Sequence, residues 1–270
     1  MKIIDSHIHF WDVANGFNEW VEETTLPKQV SPDHLNAEGF VHIEAHGEHH
    51  SPFCEFSWLK QTYPNCHIKV IAFIDFTLPL KDFERCLSVL SAQPDIVGVR
   101  QIMATTSEFS YNPFKKAIPV DLREKLSMLT AHDMIFEAQM YPNQFLDLLD
   151  DIKASDVTMT LQHMALPVLS SAENQSHWRT LLKEISHQKN WIIKLSGFEM
   201  LNKDNQLEAC LDSIFEIIPL NQLCYGSNYP VTHPHDYARW QNQLCEYINE
   251  EDVKMNIFYR TANRLYFSGR

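Results

Sequence analysis

The sequence predicts an α/β protein folded as a closed (β/α)8 TIM barrel. Eight short segments rich in β-branched and aromatic residues occur in order along the chain, and a helix-like segment follows each of them. This alternation is typical of parallel βαβ units, and eight units in 270 residues match the length of one barrel. We therefore predict a single domain over residues 1–270.

The predicted strands share a high content of Val, Ile and aromatic residues. They are Lys2–Phe10, Gly39–His46, Ile68–Phe76, Ile96–Met103, Met134–Met140, Val157–Met164, Trp191–Phe198 and Gln222–Val231. Between them, apolar residues recur at three- and four-residue spacing, as in Phe83, Leu87 and Leu90, which predicts amphipathic helices. A doubly wound open sheet is the alternative, but the chain has no G-x-G-x-x-G turn and only seven glycines.

The amino-acid composition argues against nucleic acid and membranes as binding partners. The 22 basic and 35 acidic residues give a formal charge of −13 at pH 7, which repels nucleic acid, and no basic run predicts membrane attachment. The amino terminus lacks a signal-peptide pattern, no window reaches ~18 consecutive apolar residues, and the six scattered cysteines are expected to be reduced. We expect a cytoplasmic protein that acts on a small molecule. A homodimer is compatible with the sequence, although no residue indicates one.

The first strand carries two histidines at its end. Alternation along a strand places His7 and His9 on the same face, and inside a barrel that face is the interior, near the end where catalytic groups collect. Two imidazoles in this position can bind a divalent metal or hydrogen-bond a polarised carbonyl. An isolated histidine is more often a satisfied core residue, but the His-x-His spacing favours a functional pair.

Later strands contribute further polar groups. Glu44 follows the second strand in phase with His42, and His163 ends the sixth strand. Lys194 interrupts an apolar seventh strand, where burial costs free energy unless the ammonium is paired or functional. Arg100 in the fourth strand suits a substrate carboxylate, and a structural ion pair explains it equally well.

Six motifs in order along nearly the whole chain resemble the amidohydrolase-related family of TIM-barrel metal-dependent hydrolases, which includes L-fucono-lactone and 2-pyrone-4,6-dicarboxylate lactonases. The motifs are Asp5–Asp12, Val97–Arg100, Leu161–His163, Lys194–Gly197, Tyr225–Val231 and Thr261–Tyr266. The resemblance implies a hydrolase that opens a sugar-acid or dicarboxylate lactone. It also implies that His7, His9 and His163 surround the reacting carbonyl, with or without a zinc or manganese ion. Arg100 and Lys194 would then bind anionic groups of the substrate.

The eighth strand departs from this family pattern. The family has Gly-Ser-Asp-Trp-Pro with an acidic residue that activates water, whereas this chain has Asn228 at that position. A neutral amide cannot serve as a general base, and losing such a base costs ~10²–10⁴ in rate. The glycine, the lysine and the acidic residue that the family has around the sixth-strand histidine are also missing here.

Three explanations of Asn228 are open. Another base can replace the carboxylate, with Glu44, His42 and His233 the nearest candidates. Alternatively, the barrel binds a small organic acid without hydrolysis, or the asparagine was introduced to trap a substrate. A zinc-dependent decarboxylase or amide hydrolase on the same barrel is a further alternative, and it requires a firmly held metal.

The loops give two additional expectations. Val13–Glu38 and Ala104–Pro119 are irregular and long enough to act as lids over the barrel mouth. The run His46-Gly47-Glu48-His49-His50 has the composition of a metal cluster, but its place after the second strand predicts a solvated loop.

Overall fold

The structure, a computed structural model, describes residues 1–105 and 116–268. Eight parallel strands form a nearly closed barrel in sequential order, which confirms the predicted fold class. The barrel strands are Ile4–Ile8, Gly39–Ile43, Ile68–Phe73, Ile96–Ile102, Ile135–Gln139, Met159–Leu161, Trp191–Leu195 and Leu223–Tyr225. A parallel bridge between Ile8 and Tyr229 links the first strand to the segment after the eighth.

Every observed barrel strand ends between one and six residues before its predicted end. The residues that follow the strands, such as Glu44, His163 and Asn228, are buried at the carboxyl end of the barrel. The backbone N–H groups of Glu44 and Asn228 still donate to the carbonyls of Ile71 and His7 on neighbouring strands. The polar strand ends therefore form the mouth of the barrel, where barrel enzymes bind their substrates.

Nine α-helices are present within the described residues, and all but the last have buried residues. They are α1 Cys54–Thr62, α2 Leu80–Ser91, α3 Leu122–Ala131, α4 Pro142–Asp147, α5 Leu149–Ala154, α6 Ala172–Ser186, α7 Leu207–Ile217, α8 Arg239–Tyr247 and α9 Glu251–Met255. In α2, Phe83, Leu87 and Leu90 are buried as their spacing predicted. Among the described residues, no helix combines the length and the apolar character needed to span a bilayer.

The amino-terminal half of the barrel interior is apolar. Seven of the barrel strands contribute one or two residues each to this cluster, together with side chains from the carboxyl terminus: Ile4, Val41, Ile43, Ile71, Val97, Ile135, Ile192, Cys224, Ala262, Leu265 and Tyr266. The chain after α9 forms π-helical turns over Asn256–Arg260 and Asn263–Phe267. Phe267 packs so closely against Gly39, at the start of the second strand, that a Cβ there would lie 3.0 Å from its ring. The carboxyl terminus thus covers the end of the barrel opposite the mouth.

The middle of the segment Val13–Glu38 lies at the mouth, whereas Glu38 at its end donates its backbone N–H to the carbonyl of Ile3, before the first strand. Trp11–Asp12 pairs antiparallel with Gln29–Val30, and the intervening chain includes a short 3-10 helix, Glu19–Val21. Trp20 donates a hydrogen bond from Nε1 to the carbonyl of Ala45, so this segment contacts the loop after the second strand. Most of the second predicted lid, Ala104–Pro119, lies outside the described residues.

Candidate active site

A cavity of about 460 Å³ opens at the carboxyl ends of the strands. Its lining residues come from seven of the strand ends or the loops that follow them: His9, Trp20, Glu44, Ala45, His46, Gly47, Arg100, Ile102, Gln139, His163, Met200, Asn228 and Val231. Five predicted site residues, His9, Glu44, Arg100, His163 and Asn228, therefore share one cavity. His7 and Lys194 are fully buried and do not line it.

The two first-strand histidines lie side by side, as predicted. The pairing register shifts between Asp5 and Ile8, and the rings of His7 and His9 meet edge to face with centroids 5.3 Å apart. His9 Nδ1 is 2.8 Å from the carbonyl of Ile43. Because a carbonyl can only accept, Nδ1 carries the proton and the neutral ring of His9 presents a lone pair on Nε2.

His163 begins a strained turn. The φ angles of residues 163–166 are 52°, 57°, 59° and 49°, and four successive non-glycine residues in this region cost free energy that is typically tolerated at functional sites. The turn is anchored by Trp178, whose Nε1 donates to the carbonyl of Met164 over 2.8 Å. His163 Nδ1 lies 3.0 Å from Ser196 Oγ. Gly197 has a φ of 59°, and a Cβ there would lie 2.4 Å from His163 Nδ1, so glycine leaves the space that the imidazole occupies.

Arg100 forms the structural ion pair that the sequence left open. Its Nε donates to Glu44 Oε1 over 2.6 Å, and its terminal nitrogens bond the Glu44 carbonyl, Gln139 and Gln162. Burial raises the pKa of Glu44, and the adjacent Arg100 opposes this rise. The guanidinium lines the cavity, but its hydrogen bonds are largely used within the protein. Its predicted contact with a substrate carboxylate stays a prediction.

Lys194 is paired beneath the cavity. Its ammonium lies 2.8 Å from Glu137 Oε1 and also donates to the carbonyl of Ser6. The Tyr266 hydroxyl donates to the same carboxylate over 2.6 Å, and Gln162 donates to Glu137 Oε2 over 3.1 Å. In this arrangement Lys194 contacts protein groups in place of a substrate. The sequence analysis missed Glu137, although a carboxylate inside an apolar strand carries the same signal as Lys194 itself.

Asn228 adopts a left-handed conformation with a φ of 54°, which asparagine tolerates better than most residues. Its backbone N–H donates to the carbonyl of His7 over 2.8 Å, and its side-chain Nδ2 is 3.2 Å from the sulfur of Met200. A thioether is a weak acceptor, so a stronger acceptor in the cavity can replace it. The eighth strand therefore presents an amide donor where the resemblance implies a carboxylate.

Two of the three candidate bases lie away from the cavity. His42, expected on the same face as Glu44, points to α1: its Nε2 is 3.4 Å from Glu55, and its Nδ1 accepts from the backbone of Phe10. His233 pairs with Glu199 and does not line the cavity. The expected common phase of His42 and Glu44 is wrong because the strand ends at Ile43, after which alternation no longer applies.

His46 is a base candidate that the sequence analysis missed. It was assigned to a solvated loop, yet its side chain is buried and lines the cavity. Its Nδ1 lies 2.8 Å from the carbonyl of Gly47, which fixes the proton on Nδ1, and its Nε2 is buried without a hydrogen-bond partner. Both Glu44 and Glu55 are close enough to interact electrostatically with its ring.

Comparison with known proteins places this barrel in a family. The family model described as Amidohydrolase matches residues 4–267. The chain belongs to the amidohydrolase family. It is 21% identical to an L-fucono-1,5-lactonase from Burkholderia ambifaria over 97% of this chain and 94% of that protein.

Solved structures agree on the fold of this amidohydrolase. A zinc-bound amidohydrolase from Burkholderia multivorans superposes with a TM-score of 0.76 at 19% identity, covering 98% of this chain and 99% of that one. A probable 2-pyrone-4,6-dicarboxylic acid hydrolase from Acinetobacter baumannii, with citric acid bound, gives a TM-score of 0.70 at 17% identity over 98% and 99%. At this level of identity the likeness shows the fold. The family match identifies the chain as a hydrolase of the amidohydrolase superfamily.

His7, His9 and His163 do not bring three ligand atoms together as a metal site would. Neutral imidazoles suit zinc, and both ring nitrogens of His7 are buried without a hydrogen-bond partner. In a metal site, three ligand atoms lie close to one another. Among the described residues, a group of three such atoms within 4.8 Å of one another is found outside the cavity, and His7, His9 and His163 do not form one. Asn228 brings no charge to a cation. These residues therefore do not fit a resident metal.

His7, His9 and His163 are held in their neutral form. Burial, followed by nearby positive charge, lowers the pKa of His7 and His9 well below the usual value, and it lowers the pKa of His163 to about 3. The pKa of Asp5 shifts in the opposite direction. Burial raises it to about 6, although hydrogen bonds from the backbone act to lower it. Near neutral pH each of the three imidazoles can accept a hydrogen bond at one nitrogen and donate one from the other, but none carries a charge.

These shifts predict acid sensitivity of the fold. A histidine with a lowered folded-state pKa contributes stability above its unfolded value, near 6.5, and loses it as the pH falls, by up to about 1.4 kcal/mol per pH unit. Asp5 acts in the opposite direction because its pKa is raised in the folded state. As the pH falls below about 6, protonation of Asp5 stabilises the folded chain and offsets the loss from one histidine. We expect the free energy of unfolding in urea to fall by roughly 2–5 kcal/mol between pH 7 and pH 5.

Two variants assign this pH dependence to its groups. His163→Gln removes one titrating histidine and should flatten the dependence, whereas Asp5→Asn removes the opposing group and should steepen it. An unfolding free energy that is equal at the two pH values would contradict the neutral, buried state of the histidines.

Proposed function

We propose that the chain opens a sugar-acid lactone by attack of water on the ring carbonyl. The observation that carries the proposal is the convergence of His9, His46, His163 and Asn228 on one cavity. These side chains supply lone pairs and donors without a charged group that would bind a product carboxylate strongly. Such a set suits addition of water to a neutral ester.

His46 is the proposed general base. Its ring lines the cavity, and its buried Nε2 carries a lone pair without a hydrogen-bond partner because Nδ1 is bonded to the carbonyl of Gly47. Glu44 itself is a weaker candidate, since its carboxylate is bonded to Arg100 over 2.6 Å. The imidazole thus replaces the carboxylate that position 228 lacks, and it gives the proton to the ring oxygen as the acyl C–O bond of the lactone breaks, which leaves a hydroxy acid.

Asn228 and His163 are the proposed donors to the carbonyl oxygen. The Nδ2 group of Asn228 would exchange its contact with the Met200 sulfur for the developing oxyanion. When the Ser196 hydroxyl donates to His163 Nδ1, Nε2 carries the proton and can donate to the same oxygen. His9, which presents a lone pair, would accept from the water or from a substrate hydroxyl.

Arg100, Lys194 and His7 are proposed to act by positioning other side chains. Arg100 holds Glu44, and Lys194 donates to the carbonyl of Ser6, next to His7 on the first strand. His7 contacts the rings of both His9 and His163, with centroids 5.3 and 4.7 Å away. These three residues position the groups that face the substrate.

The cavity favours a neutral lactone over a dicarboxylate. Five of its lining side chains are apolar or aromatic (Trp20, Ala45, Ile102, Met200 and Val231), and the lining cation within the described residues, Arg100, is already paired. A dianionic substrate would lack a free counter-charge when it is desolvated. This is the reason to prefer a sugar-acid lactone, the substrate class in the name of the Burkholderia ambifaria relative.

A panel of lactones tests the proposal. Initial rates of ring opening, followed with a pH indicator, are expected to exceed the spontaneous rate for L-fucono-1,5-lactone or a related neutral sugar lactone. The rate for 2-pyrone-4,6-dicarboxylate should be at least about tenfold lower, and prior dialysis against a chelator should change neither rate. Preference for the dicarboxylate would contradict the proposed specificity. Binding of lactones without turnover would contradict hydrolysis and indicate a binding protein.

A further inference from the structure

A second cluster of ligating side chains lies outside the cavity, at the edge of its mouth. Glu19 belongs to the short 3-10 helix of the first lid segment, and His49 and His50 belong to the loop after the second barrel strand. Glu19 Oε1 lies 3.3 Å from His49 Nε2 and 2.7 Å from His50 Nε2. One ligand atom from each residue falls within 4.8 Å of the other two.

These separations are close to those of a zinc site. A tetrahedral ion with bonds of ~2.0–2.1 Å holds its ligand atoms roughly 3.3 Å apart. The Glu19–His49 distance of 3.3 Å already has this value, and the Glu19–His50 distance of 2.7 Å requires an opening of about 0.6 Å. We propose that Glu19, His49 and His50 bind one zinc ion. The side chain of His49 is 73% exposed, which leaves room for a water as the fourth ligand.

The chemistry of these side chains also favours a bound cation between the rings of His49 and His50. The ring centroids of His49 and His50 are 4.0 Å apart, so two charged imidazoliums at this distance would repel each other. Two neutral rings whose Nε2 atoms approach one carboxylate oxygen can instead share a cation. Two imidazoles and a carboxylate form a set that zinc accepts in proteins.

The ion would fasten the two loops that shape the cavity entrance. Glu19 is followed by Trp20, a lining residue, and His49 and His50 follow the lining residue Gly47. The loops already meet through the backbone bond from Gly47 N–H to the Phe17 carbonyl, 2.9 Å long. Zinc would therefore strengthen an existing contact and reduce opening of the mouth. This inference does not depend on lactone hydrolysis, since none of the three ligands faces the cavity.

Calorimetric titration of the full chain with zinc, without an affinity tag and after dialysis against a chelator, tests the site. We expect a Kd of about 1 µM at pH 7.5, with a loss of at least about tenfold in affinity for Glu19→Gln and for the double variant His49→Ala/His50→Ala. The matched control is His34→Ala, an exposed histidine elsewhere, which should leave affinity unchanged. Binding that is equally tight in these ligand variants would overturn the proposal, as would a wild-type Kd in the millimolar range.

Thermal unfolding gives a second readout that is independent of calorimetry. Zinc at a hundredfold excess over Kd is expected to raise the Tm of the wild-type chain and not that of Glu19→Gln, because only a ligand of the folded state stabilises it. Circular dichroism of the apo variants confirms that they fold. An equal rise in Tm for Glu19→Gln would place the ion elsewhere and overturn the assignment.

Discussion

Replacement of His46 by glutamine is expected to lower kcat for lactone opening by about 10²–10⁴-fold, with a small change in KM. Glutamine keeps a polar side chain of similar reach but offers no nitrogen that can accept a proton near neutral pH. The loss therefore measures the proton transfer that the free Nε2 of His46 provides. Steady-state kinetics on a neutral sugar lactone is the measurement.

Two controls separate this chemical role from a disturbance of the loop. His235→Gln changes an exposed histidine after the eighth barrel strand and should retain the full rate. His46→Ala leaves a space in the cavity, and added imidazole should restore part of its activity. A rate for His46→Gln within about threefold of wild type, or a failure of imidazole to restore any activity, would assign the base to another group.

Replacement of Lys194 by methionine is expected to lower the free energy of unfolding by about 3–5 kcal/mol. Lys194 and Glu137 are both fully buried and 2.8 Å apart, so methionine leaves a carboxylate without its counter-charge in the barrel. The double variant Lys194→Met/Glu137→Leu removes both charges and should be more stable than Lys194→Met alone. Urea unfolding at pH 7 measures the three stabilities.

The matched surface pair is Lys254 and Glu251, whose carboxylate is 81% exposed. Glu251→Gln should cost less than about 1 kcal/mol, because water screens such a pair. If Lys194→Met cost no more than this control, the ammonium would not be compensating a buried carboxylate. In that case, direct contact of Lys194 with a substrate would be the better explanation of its position.

The barrel was predictable because its signals are local and repeated. Each barrel strand is a short apolar run, and eight of them at this spacing leave few alternatives. His9, His163 and Asn228 were also predictable, since strand alternation and the motifs place them at the carboxyl ends. Their convergence on one cavity follows from the closure of the barrel.

The partners of these residues were not predictable from local patterns. Glu137 and Lys194 lie on different strands, and their pairing depends on the curvature of the barrel and on Tyr266 from the far end of the chain. His46 was misassigned because strand periodicity ends at Ile43, so the direction of the loop that follows is set by contacts with Glu55 and Trp20. Backbone–side chain bonds between distant segments leave no periodic signal in the sequence.

The central claim is that this amidohydrolase hydrolyses a lactone with an asparagine at position 228. Its most direct test is the initial rate of neutral-lactone opening by the unchanged chain beside Asn228→Asp, each freed of metal by dialysis. We predict turnover by the unchanged chain, with kcat within about tenfold of the aspartate variant, because His46 supplies the base. Turnover by Asn228→Asp alone would contradict the account and show that the pocket lacks a working base.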